Sequence, residues 1–143
     1  MSQELLAFLL RHRYAVIATV SRAGLPDAAL VHIAVTPQFE LVFDTLGTTR
    51  KALNLHDNAR VALVVGGWTP GDERTAQIDG IADFPQGAEL ERLQSAYFAT
   101  YPDGRERLSW EGLLHVRVRP VHLRYTDFTL TPPRLVEHDF TPA

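Results

Sequence analysis

The sequence predicts a mainly β protein, an antiparallel β-barrel decorated by short helices. Three observations carry this reading. About seven β-branched or apolar runs follow one another at close spacing, separated by glycine, proline and asparagine turn signals. Helical spacing is confined to two or three short stretches. No strand–long helix–strand repeat occurs, which argues against a parallel nucleotide-binding sheet.

The elements can be justified in order. Residues 3–12 set Leu5, Leu6, Phe8, Leu9 and Leu10 on a short amphipathic helix that Ser2 can cap. Tyr14 to Val20 is β-branched and ends at the turn Arg22-Ala23-Gly24. Ala28 to Thr36, closed by Pro37, and Phe39 to Thr45 follow, so these three runs describe an antiparallel meander. Gly47 interrupts the pattern, and residues 48–56 read as a helix with Ala52, Leu53 and Leu55 inward. Arg60 to Val65 is almost continuously apolar, the pattern of a strand covered on both faces. Gly66-Gly67 and Pro70-Gly71 bracket a loop before a strand from Glu73 to Ala82. Ala88 to Thr100 returns to helical spacing through Leu90, Leu93, Tyr97 and Phe98. Leu113 to Val118 and Val121 to Tyr125 are the last strands, with Pro120 marking a break or bulge between them. The tail from Thr131, with Pro132, Pro133 and Pro142, is expected to be extended.

Bulk properties narrow the function. A chain of 143 residues fits one domain, 1–143, with a real core. It has no cysteine, so disulfides, thiolate metal sites and cysteine nucleophiles are excluded. A net charge of −3, without a broad basic stripe, argues against nucleic acid as a partner. Met1-Ser2-Gln3-Glu4 opens acidic, and Leu5 to Leu10 is too short for a signal peptide core. No run approaches the roughly 20 apolar residues of a membrane span. A soluble, cytoplasmic protein is expected. The six histidines show no paired spacing, so no metal site is expected. No Gly-x-Ser-x-Gly elbow supports a serine hydrolase.

The chemistry concentrates where a strand, a glycine turn and a helix meet: Phe43-Asp44-Thr45-Leu46-Gly47-Thr48-Thr49-Arg50-Lys51-Ala52-Leu53-Asn54-Leu55. The first N–H groups of a helix have no partner within it, and the dipole favours an anion there. Hydroxyls from Thr48 and Thr49, the Arg50 guanidinium and the Lys51 ammonium suit a phosphate monoester. The same residues also fit a bland reading, in which a threonine caps the helix and the two cations face solvent. The Walker pattern is absent.

This block, continued by Asp57-Asn58-Ala59-Arg60-Val61-Ala62-Leu63, resembles the pyridoxamine 5′-phosphate oxidase-like proteins of the FMN-binding split-barrel superfamily. The order of elements agrees from about Leu5 to Tyr125. The resemblance implies a homodimer with two flavins at its interface. It assigns Thr49, Arg50 and Lys51 to the FMN phosphate, and Asp44 and Thr45 to the ribityl chain or ring. Val31 and His32 would lie along the isoalloxazine through main-chain contacts. Thr75 sits where the family often carries a glutamine, a role that Gln77 can fill, and Trp110 could reach a cofactor across the interface. Two departures count against vitamin B6 oxidation. Ala34 replaces the basic residue that grips the substrate phosphate, and residues 130–138 lack the arginine-histidine substrate motif. Ala59 also replaces a usual proline.

The expected function is therefore an FMN-dependent oxidoreductase acting on a small molecule, with no catalytic residue compelled by the sequence. Two alternatives stand beside it. One is a reductase using a deazaflavin cofactor, which would need an open basic groove. The other is a non-catalytic flavin or haem carrier, with His115 or His138 as haem ligand.

Overall fold

The computed structural model describes residues 2–141, so Pro142 lies outside the described residues, as does the capping side chain expected of Ser2. Helix α1 spans Ser2–Leu10, followed by strands β1 (Tyr14–Val20), β2 (Pro26–His32), β3 (Ala34–Val35) and β4 (Leu41–Leu46). Helix α2 is Arg50–Asp57. Strands β5 (Arg60–Gly66) and β6 (Arg74–Asp83) lead to helix α3 (Gly87–Thr100) and a 3-10 helix, Pro102–Ser109. The long strand β7 (Leu113–Asp127) and β8 (Arg134–Asp139) complete the chain.

All strand pairs are antiparallel, in the order β2-β1-β5-β6-β7-β4-β3, with β8 added along the second half of β7. Strands β2 and β3 are one stretch of chain interrupted at Ile33, so the two ends of the sheet meet and the sheet curls into a barrel. The closure is partial. Only Ala34 and Val35 pair with β4, while β2 pairs with β1 alone. The barrel is split between β2 and β4, and the free edge of β2 carries unpaired main-chain groups.

Alternation along the strands builds the core. Ile17, Val31, Phe43, Leu63, Ile78 and Leu123 point inward and are buried. A second cluster, Ala34, Val42, Leu93, Tyr97 and Phe98, seats α3 on the outer face of β3 and β4. Arg117 of β7 is 5% exposed and gathers Asp83 (2.6 Å), Glu89 (2.7 Å) and Glu40 (3.3 Å). Arg92 of α3 clasps the Glu40 carboxylate with both terminal nitrogens at 2.8 Å, and Thr36 donates to it at 2.9 Å. These arginines hold the Glu40 carboxyl at about 2, well below its usual range.

Several sequence expectations change. Strand β5 is not covered on both faces: Val61, Leu63 and Val65 are buried, whereas Ala62 and Val64 point outward and are exposed. Leu53 is exposed, and α2 instead buries Ala52, Asn54 and Leu55, because Asn54 donates to Thr19 of β1 at 3.0 Å. The two last strands are one continuous strand, in which Pro120 sits at a register shift opposite Gly80. The 3-10 helix was not expected, and the tail forms β8.

Candidate functional site

The split between β2 and β4 ends at the N-terminus of α2. Thr49 caps that helix: its backbone is extended, and its hydroxyl accepts from Ala52 N at 3.3 Å while donating to Leu46 O at 2.9 Å. Thr45 and Thr49 place their hydroxyls 2.9 Å apart, so two hydroxyls meet at the mouth of the helix. The amides of Arg50 and Lys51 occupy the first turn, where no intrahelical acceptor exists. The Arg50 side chain is 77% exposed and makes one loose ion pair, 3.4 Å to Asp27 on β2. That contact places the Arg50 guanidinium beside the free edge of β2. The backbone holds the turn: Gly47 N donates to Gly112 O at 2.8 Å, and Thr49 N to Leu46 O at 3.1 Å.

The other sequence-assigned residues fall in three places. Val31 and His32 lie at the end of β2, with Val31 buried and His32 exposed between Tyr14 (ring centroids 4.8 Å) and Tyr101 (5.7 Å). Thr75 and Gln77 point outward from β6 into an open groove of about 440 Å³ bounded by Val64, Arg124, Phe128 and Leu135. Gln77, Val64, Val16 and Leu30 form one row across β6, β5, β1 and β2. Three strand spacings, about 14 Å, therefore separate the β6 pair from β2. Asp44 goes to the other side of β4 from Thr45. Its carboxylate receives Arg107 Nε at 2.7 Å and the Tyr97 hydroxyl at 3.2 Å, under α3 and the 3-10 helix. Thus Thr45, Thr49 and Arg50 are brought together beside β2, with Lys51 next in the first turn of α2, and the Asp44 side chain is not among them. Trp110 ends the 3-10 helix and is 54% exposed.

Sequence reasoning missed Asp27, Tyr14 and Tyr101. Nothing local marks them, because they meet the site only through the β1–β2 ladder and the turn after α3. His115, a haem-ligand candidate of the sequence, is 5% exposed and enclosed by Tyr97 and Phe98. His138 of β8 packs edge-on against Phe140, just beyond that strand.

The outer face of β2, β1 and β5 carries an exposed apolar strip of Leu30, Tyr14 and Val64, which passes into the outward polar side chains of Thr75, Gln77 and Asp79 on β6. No helix among the described residues is long and apolar enough to cross a membrane.

Comparisons with known proteins place this architecture. The structure is similar to Atu2129 of Agrobacterium tumefaciens, a protein of unknown function (TM-score 0.78, 23% identity, 87% of this chain and 55% of that one). It is similar to a heme binding protein from Mycobacterium smegmatis (TM-score 0.81, 16% identity, 97% of this chain and 58% of that one). The chain thus spans little more than half the length of these two relatives. A pyridoxamine 5′-phosphate oxidase-related, FMN binding protein from Nostoc punctiforme also superimposes (TM-score 0.67, 14% identity, 99% of this chain and 91% of that one). Among curated proteins, none is detectably similar in sequence. The fold is the antiparallel split barrel. The profile described as pyridoxamine 5′-phosphate oxidase matches residues 1–125, and the chain therefore belongs to the pyridoxamine 5′-phosphate oxidase family.

Proposed function

We propose that this chain is an FMN-dependent oxidoreductase that binds its flavin at the interface of a homodimer and acts on a small organic molecule. One observation carries the reading: the unpaired edge of β2 runs beside the α2 N-terminus, where Thr45, Thr49 and Arg50 converge and Lys51 follows in the first helical turn. The residues present fit the cofactor. A phosphate would take the free amides of the first helical turn and the Lys51 ammonium, and draw the Arg50 guanidinium from its loose pair with Asp27. The β2 edge near Val31 and His32 offers main-chain donors and acceptors to a planar heteroaromatic ring. Flavin supplies hydride and electron transfer, and the chain supplies binding, orientation and exclusion of water.

The outer sheet face supports the homodimer. An exposed apolar face of this kind is unusual in a monomer. Thr75 and Gln77 stand on its β6 margin, about three strand spacings from β2. A two-fold contact on this face would bring the β6 margin of one copy toward the β2 margin of the other. The substrate is expected to differ from a B6 phosphate, because Ala34 is buried beneath α3 where the family resemblance expects a basic residue.

The test is an FMN titration of the protein and of the double variant Arg50→Ala, Lys51→Ala. Losing two charge-assisted contacts, at about 1.5 kcal/mol each, weakens binding about a hundred-fold. Unchanged affinity in a folded double variant would overturn the site. Haem or a deazaflavin bound in preference to FMN would overturn the cofactor.

A further inference from the structure

The helical cap made by α3 and the 3-10 helix is pinned to the barrel through a buried polar cluster that the flavin reading does not use. At its centre is His115 of β7, 5% exposed. Tyr97 and Phe98 wall its ring edge-on, with ring centroids at 5.5 Å and 5.7 Å. Its Nδ1 lies 3.4 Å from the Gln94 side-chain nitrogen. Its Nε2 is fully enclosed and has no hydrogen-bond partner among the described residues.

The surroundings decide which form of the ring is tolerated. From β4, directly across the ladder, His115 faces Asp44. That carboxylate already receives Arg107 Nε at 2.7 Å from the 3-10 helix and the Tyr97 hydroxyl at 3.2 Å from α3. Arg107 also donates to the Tyr97 hydroxyl at 3.3 Å. Two residues along β7, Arg117 is committed to Glu40, Asp83 and Glu89, and Arg105 stands over the outer Phe98 ring at 4.7 Å. Asp44 is thus the carboxylate available to two groups, Arg107 and His115. A neutral imidazole here costs one unmade hydrogen bond. A charged one sets a second cation against Arg107, in a place largely closed to water.

We propose that His115 is a proton-sensitive lock on the cap. Neutral, it leaves Asp44 to Arg107 and the 3-10 helix stays docked. Protonated, it claims Asp44, and Arg107 leaves for solvent with the 3-10 helix.

Burial holds the His115 pKa below the ordinary histidine range, opposed by Asp44 and aided by Arg107. The docked form therefore takes the proton less readily than the released form. Docking is at full strength above that range and weakens as pH falls through it. The signal has a route to the anion site, since Gly112, just beyond the 3-10 helix, accepts from Gly47 in the turn before Thr49.

The experiment needs no cofactor. The sequence holds two tryptophans, so Trp68→Phe leaves Trp110, at the end of the 3-10 helix, as sole reporter. Between about pH 7.5 and about pH 5, where an ordinary histidine titrates, Trp110 emission should shift in one step. Amide protection over Pro102–Ser109 should fall at least about ten-fold in the same range. In the added variant His115→Phe both changes should vanish, and their persistence at the same midpoint would overturn the proposal. The His115 ring titration followed by NMR in Arg107→Gln decides the matter even if His115→Phe does not fold. With Asp44 left to histidine, the pKa should move up from its wild-type position. A pKa that stays or falls would contradict the lock.

Discussion

Glu40→Gln separates a charge network that holds the barrel together from one that merely decorates it. Glu40 is 7% exposed and accepts from Arg92 twice, from Thr36 and from Arg117. Glutamine keeps the shape but removes the charge that two guanidiniums share, and turns an amide N–H₂ toward donors. Removing one partner of a buried pair costs about 3–5 kcal/mol. Arg92 is part-exposed and Arg117 keeps Asp83 and Glu89. The lower end, about 3 kcal/mol, is therefore expected, which for a domain of this size lowers the melting temperature by about 10 °C. The pH dependence has a definite sign. The folded-state pKa of Glu40 is lowered from 4.5 to about 2, so its contribution is full above the ordinary carboxylate range and is lost as pH falls toward about 2. Thermal melts from neutral pH down to about pH 3 should show a shallower acid limb in the variant. A variant as stable as the parent, with an unchanged acid limb, would refute this reasoning.

Three further outcomes follow from the geometry. Gly66→Ala puts a Cβ 2.8 Å from both Arg74 O and Phe8 Cζ at a φ of +84°, and should cost about 2 kcal/mol or more in a denaturant melt. Thr49→Val removes the α2 cap and should cost about 1 kcal/mol, which Thr49→Ser should largely restore in the same assay. Leu30→Glu with Val64→Glu, both on the exposed outer face, should convert the proposed dimer to a folded monomer by sedimentation. A wild-type protein that is already monomeric would remove the interface from the account.

The legible parts of the fold were those whose cause is local. The Gly47 turn, the Thr49 cap and the periods of β1 and α3 are encoded within a few residues each. The strand that reads as doubly covered, β5, misled because its second apolar face, Ala62 and Val64, is uncovered in the monomer. Leu53 misled in the opposite sense: helical periodicity favoured it for the inner face, but the buried place belongs to Asn54 through its bond to Thr19. The Asp44 environment was out of reach, since Arg107 and Tyr97 approach it from more than fifty residues away along the chain. The Arg50–Asp27 pair depends likewise on how β2 leaves the barrel at the split.

The central claim is that the β2 edge and the α2 N-terminus hold FMN. The most direct test is the mass of the chromophore released when the purified protein, reconstituted with a mixture of FMN, deazaflavin and haem, is denatured. The account predicts FMN, close to one per chain, and little of it from the Arg50→Ala, Lys51→Ala variant. Haem or deazaflavin in its place, or FMN retained equally by the variant, would contradict it.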